Sequence, residues 1–187
     1  MEAARETEPI FFAVGKLKLA VLSLCTLGFY QFYWFYRNWQ LVCSRSGFAG
    51  WWNPLFRSVL APFFCYSLFK RIDRQARVAH TRRVHPGWTA IAWIAFNLSS
   101  RLSEWTWLVS LLNVLPLLHV QASVDELNAE LAPQSAPNRR FSPANWALCV
   151  LGGLLLGSAL ADIIAPPAKE ALAEDEAAAP GESHFAE

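Results

Sequence analysis

Charge is what this chain has least of. Of 187 residues, 16 are Lys or Arg and 15 are Asp or Glu, so 17% are charged, against about 25% in an average soluble protein. A formal net charge of +1 excludes a nucleic-acid binder that works by bulk charge. An apolar share of 54% excludes a disordered chain. The four cysteines, Cys25, Cys43, Cys65 and Cys149, stand far apart with no Cys-x-x-Cys. That spacing excludes a small disulfide scaffold and offers no ready-made metal or redox site. P-loop, Gly-x-Gly-x-x-Gly and nucleophile-elbow patterns are absent as well. His80 and His85 are flanked by Arg82 and Arg83, which would repel a cation, and His119 and Asp162 lack a sequence-near partner for proton transfer. The expectation is a non-enzyme with no cofactor and no metal.

The places where charge is missing are more informative than the total. Leu19–Tyr36, Val84–Ser100, Trp105–Val124 and Phe141–Ala161 contain 18, 17, 20 and 21 residues without one Asp, Glu, Lys or Arg. A helix that crosses a hydrocarbon core of ~30 Å needs about 20 mostly apolar residues, and a soluble amphipathic helix would carry a charged stripe. A fifth stretch, Ser58–Phe69, has 12 uncharged residues and contains Pro62. Extended back to Trp51 it just spans, with Arg57 snorkelling; otherwise it re-enters or lies in the interface. The expected fold is therefore all-α, an integral membrane helical bundle of four or five apolar segments. Its parts would be an N-terminal tail (1–15), the membrane domain (16–165) and a disordered acidic Ala/Glu-rich tail (166–187).

Orientation stays open at one point. With five spans and the N-terminus inside, 11 Lys and Arg fall inside and 5 outside; with the short segment not spanning, the score is the same. Both arrangements place Lys70–Arg83 in the cytoplasm and the acidic tail outside. They differ only in the N-terminus.

From Phe29 to Phe69 the chain holds 16 of its 26 aromatic residues. The block Tyr33-Trp34-Phe35-Tyr36-Arg37-Asn38-Trp39, with Trp51 and Trp52, reads as an interfacial belt, since Tyr and Trp favour the headgroup level. The alternative is a stacking surface for a ligand or partner, with Arg37 available for cation–π contact. The run from Lys18 to Trp39, with its Thr26-Leu27-Gly28-Phe29-Tyr30 step followed by Tyr33-Trp34-Phe35-Tyr36 and Asn38-Trp39, resembles the opening of a family of small bacterial membrane proteins of unknown function. Phe56-Arg57-Ser58, Ala61-Pro62-Phe63-Phe64, Phe69-Lys70-Arg71-Ile72 and Asn145-Trp146 share the likeness, which covers most of residues 10–165. It implies a multi-pass protein of the bacterial inner membrane and brings no activity, ligand or catalytic residue.

Two further patterns bear on function. Lys70, Arg71, Arg74, Arg77, Arg82 and Arg83 face only Asp73 in their segment. They suit anionic headgroups, at about 1 kcal/mol per charge near the surface, or serve only to fix orientation. In the last apolar run Cys149, Gly153, Gly157 and Ala161 recur every four residues, a small-residue face for close helix packing within the chain or between copies. The leading expectation is a non-catalytic interaction or scaffold protein that contacts membrane lipids and partner helices, as a homo-oligomer or with another protein, and not nucleic acid. The alternative is a small transporter or channel subunit, for which Asn97, Arg101, Glu104, Asn113 and His119 are the candidate polar groups. Arg101 and Glu104 sit at an expected hairpin turn, which counts against it.

Overall fold

The first uncharged run does not make one long helix. In the structure, a computed structural model that describes residues 8–47, 52–102 and 106–164, it splits into α1 (Lys16–Cys25) and α2 (Phe29–Arg45). Gly28 has φ +92° and Leu27 φ +51°, and the left-handed region is open to glycine at little cost. The Thr26 hydroxyl joins the two helices. It donates to Leu22 O (2.6 Å) and accepts from Tyr30 N (2.9 Å). The ten residues of α1 rise only ~15 Å, half of what a bilayer core requires.

Proline sets the next boundaries. The stretch through Pro62 is two helices, α3 (Trp52–Val59) and α4 (Ala61–Val78), meeting at Leu60. Pro62 brings no N–H and sits comfortably in the first turn of a new helix. Pro86 opens α5 (Pro86–Ser99) in the same way. Beyond Thr106 the chain runs through α6 (Trp107–Ser110), a 3-10 turn (Leu111–Asn113) and α7 (Val114–Leu131). The 3-10 turn lies just before Pro116, which lacks the N–H that Leu112 O would accept and whose ring crowds that carbonyl. Last comes α8 (Pro143–Ile164).

Among the described residues the fold is all-helical, apart from one isolated parallel bridge between Val14 and Asn138. Among the described residues two stretches are long and apolar enough to cross a membrane, Trp107–Leu131 and Pro143–Ala161, where four or five segments were expected. The shortfall has a local cause in each case. Gly28 halves the first segment, Pro62 divides the short one, and the Pro86 helix is 14 residues long.

The core joins α1, α2, α4, α5 and α7. Trp34, Phe35, Phe69, Leu68, Ile72, Trp93 and Leu117 are fully or almost fully buried. Phe35 lies edge-on to Trp34 (5.2 Å between centroids) and to Trp93 (5.1 Å), each such pair contributing about 0.5–1.5 kcal/mol beyond burial. Amides tie the same helices together. Trp93 Nε1 donates to Gln31 Oε1 (2.7 Å), Gln31 Nε2 to Asn113 Oδ1 (2.5 Å), and Asn113 Nδ2 to Asn97 Oδ1 (3.1 Å).

Residues 8–15, set apart as a tail on sequence, belong to this body. Phe11 and Val14 are buried core residues. The segment's backbone is held by side chains: Asn128 Oδ1 accepts from Ile10 N (2.9 Å) and Phe11 N (3.1 Å), and Asn38 Oδ1 accepts from Phe12 N (3.1 Å). Asn138 N donates to Ala13 O (3.0 Å) and Gly15 N to Asn138 O (3.1 Å). The acidic tail from 166 onward lies outside the described residues.

Candidate functional site at the basic end

The threaded N-terminal segment gathers cations around it. Arg45 Nη1 and Nη2 donate to Ile10 O (2.5 Å) and Pro9 O (2.8 Å). Arg71 and Arg74 border a small cleft with Ile10, Phe11 and Arg45. Lys18 Nζ donates to Arg140 O (2.7 Å), Lys16 Nζ is 4.0 Å from Asp125, and Arg37 stacks over Phe12 at 5.7 Å. Arg82 N donates to the Glu126 carboxylate (2.9 Å). These contacts link the start of α1, the end of α2, the end of α4 and the 132–142 loop into one end of the molecule. Arg101, after α5, stands at the opposite end of that helix from His85. Segments that neither orientation count kept together, residues 8–18, Arg37–Arg45 and Lys70–Arg83, therefore share one end.

All six cations of the basic segment are exposed on α4 and the turn after it. They are not equivalent. Arg77 Nε and Arg83 Nε bind Asp73 Oδ2 and Oδ1 at 3.0 and 3.1 Å, while the Asp73 side chain is only 5% exposed. Burial would raise the Asp73 carboxyl, but the hydrogen bonds and charges of Arg83 and Arg77 outweigh it and hold the group below its usual value. Lys70 lies over the Tyr66 ring (5.9 Å) and Arg71 over Trp39 (5.9 Å). The basic segment is thus part structural, through Arg77 and Arg83, and part presented outward, through Lys70, Arg74 and Arg82.

The aromatic motif divides by helix face. Gln31, Trp34, Phe35, Asn38 and Trp39 are buried, a spacing of three and four residues that lines one side of a helix. Trp34, Asn38 and Trp39 are accordingly core residues and not a surface belt. Trp34 Nε1 donates to Gln121 Oε1 (2.7 Å), and Asn38 Nδ2 donates to Trp34 O (2.9 Å). Tyr33 is exposed, and Tyr36 and Arg37 are half-buried on the other face. Trp51 and the Trp52 side chain lie outside the described residues. Arg57 stacks at 4.6 Å over Trp39, cation–π contact made by a residue that charge counting assigned only to snorkelling.

The small-residue face of α8 is offset by one residue from the intramolecular contact. Gly152 is buried against α1, and a Cβ there would stand 1.7 Å from Cys25 O. Gly153 and Gly157 have nothing within 4 Å of such a Cβ, and Ala161 is exposed. Within the chain, Gly152 makes the close approach and the Gly153–Gly157–Ala161 face stays open.

The polar candidates for a conduction path separate. Asn97 and Asn113 do meet, but as links in the amide chain that fastens α2, α5 and the 3-10 turn. His119 is half-buried on α7, Arg101 is exposed, and Glu104 lies outside the described residues. Among the described residues no three His, Cys, Asp or Glu converge to hold a metal. The amides Gln31, Gln121 and Asn128 were not singled out on sequence, and Asn38 was counted only with the aromatic belt. Their signal was present: polar groups inside apolar or amphipathic helical runs have to find partners when buried.

Comparison with protein-family models, with curated proteins and with solved structures finds no match to this chain.

Proposed function

We propose that this chain is a non-catalytic, multi-pass protein of the bacterial inner membrane that holds anionic lipid at its basic end and offers an open helix face to a partner helix. The observation that carries the reading is α8. Only 6% of Pro143–Ala161 is buried inside the molecule, against 44% of Trp107–Leu131, and Val150, Leu151, Leu154 and Leu155 stand exposed in succession. A helix apolar on every side and covered by almost nothing is stable in lipid, not in water. The clustering of cations at one end supports the orientation, since positive charge marks the cytoplasmic face. The likeness of the Lys18–Trp39 motif to small bacterial membrane proteins points the same way.

In this reading α1 and α2 form a half-depth hairpin that enters from the cytoplasmic side and returns to it. Buried amides close its backbone and side chains against α5 and α7, as non-helical backbone at membrane depth requires. The helices α3 and α4 lie near the headgroups, α5 leads across to Arg101, the rod Trp107–Leu131 crosses back to the basic end, and α8 crosses again, leaving the acidic tail outside.

Two measurements test this. The chain should resist extraction from membranes at alkaline pH, and release into the wash would remove the membrane reading. For the lipid contact, Lys70, Arg74 and Arg82 should be replaced together by Gln, leaving Arg77 and Arg83 on Asp73. Association with phosphatidylglycerol vesicles should fall while the melting temperature stays within a few degrees. Unchanged association would remove this segment from the lipid contact.

A further inference from the structure

We propose that the cleft between α2, the start of α1 and the foot of α8 is a built site for one anionic phospholipid, distinct from the Lys70–Arg83 segment. It rests on the membrane reading and adds to it a defined ligand and position. The cleft has a volume of about 1000 Å³, the upper end of the range for ligand sites. Its lining includes Lys18, Arg37 and Arg140 and, among the described residues, no Asp or Glu.

The three cations differ in what they can give. Lys18 is buried, and its ammonium is surrounded by neutral oxygens: Arg140 O at 2.7 Å, Asn138 Oδ1 at 3.3 Å and, with its amide oxygen turned inward, Asn145 at 3.2 Å. Its donors are used and its charge is not neutralised. Arg37 Nη1 donates to Gln40 Oε1 (2.6 Å), but Arg37 Nε is buried and has no hydrogen-bond partner among the described residues. A buried N–H of this kind costs free energy until an acceptor arrives. Arg140 is exposed at the rim. Two guanidinium forks around an uncompensated ammonium suit a phosphate diester monoanion.

The other end of the cleft is apolar. Phe29, Tyr33 and Leu148 line it, and Phe29, Tyr33 and Leu148 are all exposed. Leu151 and Leu155, at helical spacing from Leu148, carry the apolar surface onward along α8. The basic end of the cleft lies with the other cations and the apolar end runs toward the exposed helix. That gradient matches a lipid standing upright in its leaflet, headgroup at the surface and chain along α8. A free phosphate would use only the first half.

The test uses the full chain purified in maltoside detergent as wild type, R37Q/R140Q, L148W and, as a control at the exposed cation of the opposite end, R101Q. Native mass spectrometry reads retained phosphatidylglycerol, followed by titration with phosphatidylglycerol, dodecyl phosphate and inorganic phosphate. The wild type should keep one phosphatidylglycerol. R37Q/R140Q should bind it about thirtyfold more weakly, L148W should release it by filling the chain end, and R101Q should hold it as the wild type does. Equal retention in R37Q/R140Q, or equal loss in R101Q, overturns the site. Displacement by inorganic phosphate as effective as by dodecyl phosphate overturns the lipid as occupant. A wild-type chain washed from membranes at alkaline pH takes down the membrane reading and this one together. A chain that stays embedded, with lipid retained alike in every variant, takes down the cleft alone.

Discussion

Asp73 shows how one residue decides what its neighbours are for. Its buried carboxylate is satisfied by Arg77 and Arg83, so two of the six cations on this segment are committed to the fold. Its pKa is held below the usual 3.8 because two guanidinium groups outweigh burial. A lowered folded value means that the stabilisation is complete above the unfolded pKa and is lost as pH falls through the folded one. Asp73→Asn should therefore cost about 1–2 kcal/mol near neutrality, toward the low end because both arginines are half-exposed and screened. The gap between variant and wild type should close below about pH 4. Thermal unfolding in detergent across that range measures it, and a gap that persists unchanged into acid would refute the assignment. Gly28 makes a second prediction at this scale. A Cβ there would meet nothing closer than Asn113 Nδ2 at 3.6 Å, so Gly28→Ala pays only for φ +92°. The expected loss is about 1–2 kcal/mol, read from the same unfolding curves.

At the scale of elements, α8 poses the sharpest contrast between adjacent residues. Gly152 is packed onto the Cys25 backbone and Gly153 is open. Gly152→Ala should separate α1 from α8 and lower stability by several kcal/mol, because a backbone clash has no soft way out. Gly153→Ala should be neutral or stabilising by up to about 1 kcal/mol through helix propensity. Equal effects at the two positions would mean that the α1–α8 contact is misplaced by a residue. The rod from Trp107 to Leu131 illustrates the opposite behaviour. Pro116 tightens it to 3-10 geometry over one turn without breaking it, because Asn113, within that turn, is hydrogen-bonded to Gln31 and Asn97.

For the whole molecule the prediction concerns sides. In a cysteine-free background, Arg45→Cys, Arg83→Cys and Arg139→Cys should all react with a membrane-impermeant maleimide from one face, and Arg101→Cys from the other. Reaction of positions 45 and 83 from opposite faces would eliminate the half-depth hairpin and restore a full first span. The rest of the positive charge obeys the same geometry. Counting loops by hydropathy alone set Arg37, Arg45 and Arg57 on one side and Lys16 and Lys18 on the other, whereas the folded chain brings Arg37, Arg45, Lys16 and Lys18 around a single buried N-terminal segment.

The helical character, the breaks at Gly28 and Pro86, and the apolar last helix were legible in the sequence, because each depends on neighbours within a few positions: a missing N–H, a missing Cβ, an unbroken apolar run. The division at Pro62, where one helix through the proline was expected, was not. The buried half of the aromatic motif was not. Trp34, Asn38 and Trp39 have the composition of an interfacial belt, and only the packing of α2 against α4, α5 and α7 turned that face inward. Residues 8–15 escaped for a related reason. Their backbone partners are Asn38, Asn128 and Asn138, as many as 125 positions away (Ala13 to Asn138), and a hydrogen bond between distant amides leaves no local pattern. The same holds for the cleft around Lys18, Arg37 and Arg140. Sequence alone determined that apolar surface would exceed what the chain can cover. Tertiary structure decided which surface stays uncovered and where the unpaired charge meets it, since both depend on contacts that close only when the chain folds back on its own beginning.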